Sequence, residues 1–448
     1  MLSGSNNFTR WVKDLNQEGG LMIQQGVLPF KMERTDELIT PRSGLGLFAE
    51  VVRTLGVPGK IEGAFPRPGS NRGYEAWAYV EPLVLMLAGG GRHIEDLREI
   101  RDDEALRALV GLRRMPSVST FGDWLVRTGA KGGLRAMRAV DEEVGGAIWK
   151  RTGTPDYTLD VDATVIEAEK KEAEMTYKGL RGYQPQLGYL AENGICLSHE
   201  FRAGNVPAQS GAVRFLRRCR RLCPKIQRLR SDSAFYQTAV VNWCEENAIG
   251  FTITADQDAS IKEVIRTVRD WEPLRSEDGK PTDREVGTAV HLMGGARLPF
   301  RLVIQRWREA QLNLFEPQGY RHYVIATNRD ELSASEVVWF HNKRGQVENS
   351  IKELKLGFGM EQMTSGDFRA NALWFALGVL ASNLVQGMKL LFLDQEWKST
   401  TVATLRWQLI QVAGRLIRHG RGLILRLAAS LEKYSVLVEL RRRVAAFR

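Results

Sequence analysis

The sequence predicts an α/β protein with a mixed β-sheet, helices on both faces of that sheet, and further helical regions at both ends of the chain. Between residues 151 and 255, short runs rich in β-branched residues alternate with helical segments, which is typical of such a sheet. Apolar residues at helical spacing dominate residues 74–149 and return after residue 336. With 448 residues, the chain is long enough for two or three domains with separate cores.

Residues 1–150 are predicted to form a mostly helical N-terminal region. About the first 60 residues show little periodicity, whereas the segment WAYVEPLVLMLAGGG predicts an apolar helix that ends at Gly89–Gly91. Ser119 or Thr120 is suited to cap a later helix. Several short helices with a turn between them suit a DNA-reading helix-turn-helix, and they equally suit any small helical domain. We interpret the region as DNA-binding.

Residues 151–255 predict the first part of a ribonuclease-H-like core. YTLDVDATVIEA, PQLGYLAE and GICLSHEFRAG are strand-like, and a Glu-Asn-Gly turn joins the second to the third. A helix, the strand KIQRLRSD, a second helix and the strand IGFTITAD follow. The order is therefore βββαβαβ, and one more helix would complete a ribonuclease-H-like domain.

That last helix is delayed along the chain. Residues 256–335 contain three strand-like segments and predict a β-rich insertion, so the final core helices fall in residues 336–395. Residues 396–448 predict a basic helical C-terminal region. The largely apolar stretch 370–393 is interrupted by two Asn, a Gln and a Lys, which favours a buried helix over a membrane span, and we expect no membrane partner.

The balance of charges favours a polyanionic partner. The formal net charge is +10, and Arg residues are concentrated in residues 214–230 and after residue 406. For each cluster alone, a solvated helix face remains an alternative. The four cysteines form no CxxC pair, so a zinc site is not expected. The N-terminus lacks the apolar core of a signal peptide, and we expect a cytoplasmic, nucleoid-associated protein.

Three acidic residues are candidate metal ligands. Asp162 lies on the predicted first strand, Asp232 follows the fourth, and Glu348 lies on the delayed helix. In a ribonuclease-H-like topology the first and fourth strands are neighbours, so these carboxylates would converge. Mg²⁺ prefers oxygen ligands, and two ions can activate the attacking oxygen and stabilise the leaving oxygen in phosphoryl transfer. We therefore predict a catalytic site with two Mg²⁺ (or Mn²⁺) ions held by these residues.

Each acid also has a simpler interpretation. Asp160 shares a strand face with Asp162 but ranks below it, because Asp162 begins a D-x-T arrangement. A DxD pair also occurs in glycosyltransferases. Asp232 is equally suited to cap a helix. On the helix, Arg344, Glu348 and Lys355 are spaced by four and seven residues, and Lys352 lies near the same face. The cations would hold phosphates there, although a helix salt bridge is the alternative.

The segments LDVDAT, LRSDSAF and RGQVENSIKELK together resemble the DDE transposases of bacterial insertion sequences. The helix is similar to that superfamily's Tyr-(2)-Arg-(3)-Glu-(6)-Lys signature, with Arg344, Glu348 and Lys355 at three of its positions and His341 at the Tyr position. The apolar segment after the signature and the helical N-terminal region resemble the insertion-sequence-1380 type. The resemblance extends from about residue 40 to residue 430.

This resemblance implies cut-and-paste transposition. A homodimer would bind the terminal inverted repeats of the transposon as double-stranded DNA, hydrolyse the DNA at its ends with Mg²⁺ or Mn²⁺, and join the 3′-OH ends to target DNA. Two alternatives stay open: a ribonuclease-H-like host nuclease that hydrolyses without joining, and a catalytically inactive DNA-binding derivative.

The resemblance also suggests further DNA contacts. His341 would contact a phosphate, and Trp307 is the candidate for stacking on a flipped base, with packing in a sheet as its alternative. After the first strand, a Gly-rich stretch mixes cations with aromatic residues and is expected to grip DNA, with a solvated loop as the alternative. Its members are Tyr177, Lys178, Arg181 and Tyr183.

Overall fold

The computed structural model describes residues 33–69, 73–308, 319–420 and 422–447. The first 32 residues of the predicted N-terminal region lie outside the described residues. The protein is a mixed α/β structure whose largest element is a nine-stranded mixed sheet. Helices from both ends of the chain pack together into a second layer, which contains the larger of the hydrophobic cores.

Five strands form the half of the sheet that carries the candidate ligands: β2 (Tyr157–Ala163), β6 (Gln186–Leu190), β7 (Ile195–Glu200), β8 (Ile226–Ser231) and β9 (Gly250–Thr254). Their order across the sheet is β7-β6-β2-β8-β9. β2 is antiparallel to β6 and parallel to β8, and β8 is parallel to β9. The carboxyl ends of β2, β8 and β9 therefore lie at the same edge of the sheet.

Helices connect these strands as the sequence pattern indicates. α8 (Ala212–Leu222) joins β7 to β8, and α9 (Thr238–Glu246) joins β8 to β9. Both contribute to a core beneath the sheet that includes Phe215 and Phe251. The Gly-rich stretch after β2 adds a feature that the sequence pattern did not predict, a small sheet of β3 (Ile166–Glu167), β4 and β5. The bounds of the last two strands are Glu174–Met175 and Arg181–Tyr183.

The strands of residues 256–335 continue the main sheet. After α10 (Ala259–Thr267), the four strands β10 to β13 pair in sequence order, and β13 pairs with β9. The predicted β-rich character is present, and these strands share a sheet with the core because β13 adds to the edge of β9. Their bounds are Glu272–Arg275, Pro281–His291, Phe300–Arg308 and Tyr320–Thr327.

One long helix is the centre of the helical layer. α13 (Phe368–Phe392) packs against helices of the N-terminal part of the chain. Among the described helices it alone is long and apolar enough to cross a membrane, but 78% of its most apolar stretch is buried inside the protein, as a core helix requires. The N-terminal helices are α1 (Gly44–Thr54), α2 (Val57–Ala64), α3 (Trp77–Gly89), α4 (Leu97–Arg101), α5 (Glu104–Val110), α6 (Val118–Ala130) and α7 (Gly133–Trp149).

The C-terminal region is not entirely helical, which corrects the prediction for residues 396–448. A β-hairpin of β14 (Gly414–His419) and β15 (Gly422–Leu427) pairs with β1 (Ile39–Thr40). A glycine in the left-handed conformation, Gly420 with φ 57°, permits the tight reversal. The short α14 (Val402–Leu405) precedes the hairpin, and α15 (Leu431–Ala446) follows it and packs on α1.

Candidate active site

Two of the predicted ligands lie at the carboxyl edge of adjacent parallel strands. Asp162 is the last residue but one of β2, and Asp232 directly follows β8. Because Val161 pairs with Ser231 in the parallel register, the next residue on each strand is Asp162 or Asp232, and the two lie side by side. Asp232 also accepts a hydrogen bond from the Ala234 amide at 3.1 Å, so it caps a short turn as well.

Asp160 has a different environment from Asp162. It is 1% exposed, and both of its carboxylate oxygens accept hydrogen bonds from Arg230 at 2.7 Å. A third nitrogen of the Arg230 guanidinium donates to the Phe340 carbonyl at 2.9 Å. Asp160 is thus fully engaged in a buried ion pair between β2 and β8, and Asp162 is the carboxylate of β2 that lines the cavity described below.

The third predicted ligand approaches from the helix that follows the insertion. The signature segment forms two helices, α11 (Ala334–Asn342) and α12 (Gly345–Lys352), with Arg344 at the break between them. The Arg344 guanidinium donates to Glu348 at 2.6 Å and to Asp162 at 3.3 Å. One cation therefore joins the carboxylate of the helix to the carboxylate of the sheet.

The pKa values show that these carboxylates share one electrostatic environment. The pKa of Asp162 is raised to about 7, first by burial and then by the charge of Asp232, with a smaller contribution from Glu348; Arg344 opposes the rise. Burial also raises the pKa of Asp232, again against Arg344. Several carboxylates in a desolvated site repel one another when charged. A cation bound between them would relieve that repulsion.

These residues fit a divalent metal by donor chemistry, since Mg²⁺ and Mn²⁺ prefer carboxylate oxygens and accept water as remaining ligands. Within the described ranges, however, no three His, Cys, Asp or Glu side chains are grouped closely enough to hold an ion as they stand. The Arg344 guanidinium lies between the carboxylates of Asp162 and Glu348 and forms an ion pair with each, which accounts for the separation of the two carboxylates.

A cavity of about 330 Å³ opens beside Asp162 and Glu348, and Lys352 and Lys355 line its wall. Lys355 lies in a π-helical turn, Glu353–Gly357, and donates a hydrogen bond to the Val165 carbonyl at 2.9 Å. Burial lowers its pKa. The structure therefore brings both lysines to the side of the site that Glu348 occupies, and their positive charge suits a phosphate group.

His341 is not positioned to contact DNA, which corrects the expectation of a phosphate contact. It is 1% exposed, and its ring nitrogens lie 3.1 Å from the hydroxyls of Thr252, Thr254 and Tyr323. Burial, together with the charges of Arg344 and Arg230, lowers its pKa to about 3, so the ring is neutral. Its role is to fasten α11 to the sheet.

Trp307 lies on β12 with its ring 4.7 Å from the Arg284 guanidinium, in a cation–π contact. It pairs in the sheet with Arg321, whereas the end of β9 pairs with Ile325. Four residues of strand separate the two positions, so Trp307 projects about 13 Å beyond the end of β9. This is the edge of the sheet at which Asp162 and Asp232 lie.

The Gly-rich stretch divides into exposed and structural residues. Tyr177 is 75% exposed, and the Lys178 amine lies 5.7 Å from its ring. Arg181 donates to the Ala173 carbonyl at 2.9 Å and so holds the small sheet together. Tyr183 is fully buried and accepts a hydrogen bond from Asn371, which corrects the expectation that it grips DNA.

One acidic residue at this edge was missed in the sequence pattern. Asp256 follows the third parallel strand, β9, and its charge raises the pKa of Asp232. It lines a second cavity together with Asp232. The sequence nevertheless indicates this residue, because Asp256 ends the predicted strand IGFTITAD in the same way that Asp232 ends the predicted strand KIQRLRSD.

Comparison with known proteins identifies the family. The family model described as "Transposase DDE domain group 1" matches residues 29–448. No curated protein matches the chain. Among solved structures, the cryo-EM structure of the piggyBac transposase synaptic complex with hairpin DNA is similar, with 11% sequence identity, a TM-score of 0.45, and coverage of 91% of this chain and 84% of that chain. Because the family model spans nearly the whole sequence, the chain belongs to the DDE transposases of domain group 1.

Proposed function

We propose that the protein catalyses cut-and-paste DNA transposition: it binds the terminal inverted repeats of its element, hydrolyses DNA at the ends, and joins the 3′-OH ends to target DNA. Membership of the DDE transposases supports this function. The observation that carries it is the arrangement at Arg344, which joins Asp162 of the sheet to Glu348 of the helix while Asp232 lies beside Asp162. The resemblance to the insertion-sequence-1380 type and a cytoplasmic location belong to the same proposal.

We infer a ribonuclease-H-like catalytic core. The strand order β7-β6-β2-β8-β9, with only β6 antiparallel to its two neighbours, supports this inference. Such a core brings carboxylates from β2, from the end of β8 and from the helix after the insertion to one edge. The domain boundaries expected from sequence belong to this proposal, with the difference that residues 256–335 extend the core sheet.

Asp162, Asp232 and Glu348 would hold two Mg²⁺ or Mn²⁺ ions. When bound, such ions supply Lewis-acid activation of the attacking oxygen and charge stabilisation of the leaving oxygen. In the metal-free protein, Arg344 compensates the negative charge of the carboxylates. With metal bound, its guanidinium would be free to bind a phosphate. Lys352 and Lys355 line the adjoining cavity and orient the DNA backbone by their charge.

DNA is the proposed partner on both sides of the reaction, as transposon end and as target. The net charge of +10 supports binding to the phosphate backbone. Two ends must be cut and joined in one event, so we propose a homodimer in the active complex. The helical N-terminal region and Lys178 beside the site are proposed to contribute contacts to the DNA.

The test is strand cleavage and joining on DNA that carries the element's own ends, with and without Mg²⁺. The wild-type chain should cleave and join only with the metal, and Asp162→Asn, Asp232→Asn and Glu348→Gln should each lose cleavage while binding the ends. Asp330→Asn is the matched control, because Asp330 is exposed at the opposite edge of the sheet. Cleavage without joining would favour the host nuclease, and full activity in any of the three variants would remove that residue from the site.

A further inference from the structure

The helix that carries Glu348 continues beyond the candidate active site. It runs directly into the π-helical turn Glu353–Gly357, which contains Lys355. Such turns are rare and occur mostly at functional sites. Side chains two residues apart on a helix point in nearly opposite directions, so Glu353 faces away from Lys355 and from the cavity beside Asp162 that Lys355 lines. The turn therefore connects that cavity to the surroundings of Glu353.

Glu353 contacts the C-terminal part of the chain. Its carboxylate accepts a hydrogen bond from the Val402 amide at 3.0 Å, across 49 residues of sequence. Val402 is the first residue of α14, and the first amides of a helix have no partner within that helix. The bond supplies a partner for one of these amides, and it fastens the π-helical turn to α14.

Glu353 also faces two buried cations of the helical layer. Lys389 of α13 is 4% exposed, and Arg406, which follows α14, is 8% exposed. Both donate hydrogen bonds to backbone carbonyl groups. Burial lowers the pKa of each cation, and the negative charge of Glu353 opposes the shift in both cases. Buried charges require compensation, so the helical layer holds this carboxylate in place.

On the opposite side of the turn, Lys355 is fixed against the sheet. Its amine donates a hydrogen bond to the Val165 carbonyl at 2.9 Å, just after β2. Only one residue separates Lys355 from Glu353. A displacement of Glu353 from the Val402 amide would therefore move the lysine relative to the cavity.

We propose that Glu353 is a positioning residue: its hydrogen bond to the Val402 amide holds the π-helical turn so that Lys355 meets a DNA phosphate in the cavity beside Glu348. Glu353 itself contacts no DNA in this arrangement. None of the described residues that line the cavity belongs to α14, so the C-terminal region acts on the site through Glu353. The proposal rests on the proposed function, because it takes that cavity to receive a phosphate.

The test counts one phosphate contact by the salt dependence of binding. The affinity of the full-length, metal-free chain for end DNA is measured by fluorescence anisotropy at several salt concentrations. Lys355→Gln should lower the slope of log affinity against log salt by about 0.9, as the loss of one phosphate contact requires. Glu353→Ala should lower the slope by a similar amount, although it removes an acid and makes the chain more basic. In the double variant the slope should fall no further, because both changes remove the same contact.

Two pairs of variants separate the hydrogen bond from charge and packing. Val402→Pro removes the amide and keeps every charge, and proline is tolerated at the first position of a helix after an extended residue, as Thr401 is. Val402→Pro should lower the slope, whereas Val402→Ala keeps the amide and should not. Glu353→Gln keeps an oxygen acceptor and should keep the slope, while its melting temperature falls because Lys389 and Arg406 lose a compensating charge.

A buried residue elsewhere in the same layer controls for lost stability. Ile61→Ala, on α2, should lower the melting temperature and leave the slope unchanged. An unchanged slope in Val402→Pro or in Lys355→Gln would overturn the proposal, and so would a further fall when Val402→Pro is combined with Lys355→Gln. Failure of the wild-type chain to cut any end DNA with Mg²⁺ or Mn²⁺ would instead refute the proposed function, whatever the slopes.

Discussion

Replacing Asp160 should destabilise the protein strongly, although Asp162, two residues further along the same strand, should not behave in this way. Asp160 is 1% exposed and Arg230 is 3% exposed, and two hydrogen bonds of 2.7 Å join them. In Asp160→Ala the guanidinium stays buried and keeps only its bond to the Phe340 carbonyl. Breaking one partner of such a pair costs about 3–5 kcal/mol.

The assay is urea unfolding of the metal-free protein, followed by circular dichroism, with the change in the free energy of unfolding taken from the shift in midpoint. The double variant Asp160→Leu with Arg230→Met removes both charges, so it should recover most of the loss. A cost below about 1 kcal/mol for Asp160→Ala would refute the view that Asp160 is structural. It would make Asp160 a rival to Asp162 for the metal.

Three further predictions address the neighbouring residues. The folded pKa of Asp162 is raised to about 7 from an ordinary 3.8, so the stability that its protonation gives is present below pH 4 and is lost as the pH rises to 7. In chelator-treated protein, the free energy of unfolding of Asp162→Asn should therefore rise relative to that of the wild type over this range, by up to about 4 kcal/mol. A difference between the two proteins that does not depend on pH would contradict the shift. His341→Phe removes a hydrogen-bond partner from three hydroxyls; Thr252 loses the partner of its hydroxyl, whereas Thr254 and Tyr323 keep their mutual hydrogen bond of 2.7 Å. The variant should cost on the order of 1–3 kcal/mol in the same unfolding assay, with the salt dependence of DNA binding unchanged; a reduced salt slope would restore His341 as a phosphate contact. Lys352→Gln should lower the slope of log affinity against log salt by about 0.9 in a fluorescence anisotropy titration with end DNA, as the loss of one phosphate contact requires, and an unchanged slope would place Lys352 outside the interface.

The core strands were predictable from sequence because their signals are local. β-branched residues occur in both β2 and β9, and an acid lies at or just after the carboxyl end of β2, β8 and β9. Parallel strands joined by helices bring their carboxyl ends to one edge, so Asp162 and Asp232 were expected to meet. The same reasoning, applied to the third strand, would have included Asp256.

The remaining features depend on contacts between distant parts of the chain. From sequence, His341 is expected to be a surface residue of the signature helix. Only its packing against Thr252 and Thr254, almost 90 residues earlier in the chain, shows that it is buried. The sequence contexts of Asp160 and Asp162 are nearly the same. Their roles differ because Arg230, 70 residues away, forms an ion pair with Asp160. Sequence periodicity alone does not contain these contacts.

The C-terminal hairpin was missed for a related reason. Leu416 and Ile417 on β14, and Leu423 and Ile424 on β15, are compatible with either a helical or an alternating pattern over so short a segment. Pairing with β1, which lies almost 400 residues earlier, favours the strand conformation. Tertiary context of this kind overrides local propensity in short apolar segments.

The most direct test of the active site is to locate the metal itself. A crystal of the chain bound to its end DNA and soaked with Mn²⁺ gives the ion positions by anomalous scattering. We predict manganese peaks at the carboxyl edge of β2 and β8, within about 2.3 Å of oxygens from Asp162, Asp232 and Glu348, with the Arg344 guanidinium moved onto a phosphate. Manganese bound elsewhere, or Arg344 still bridging Asp162 and Glu348 beside a bound end, would contradict the account.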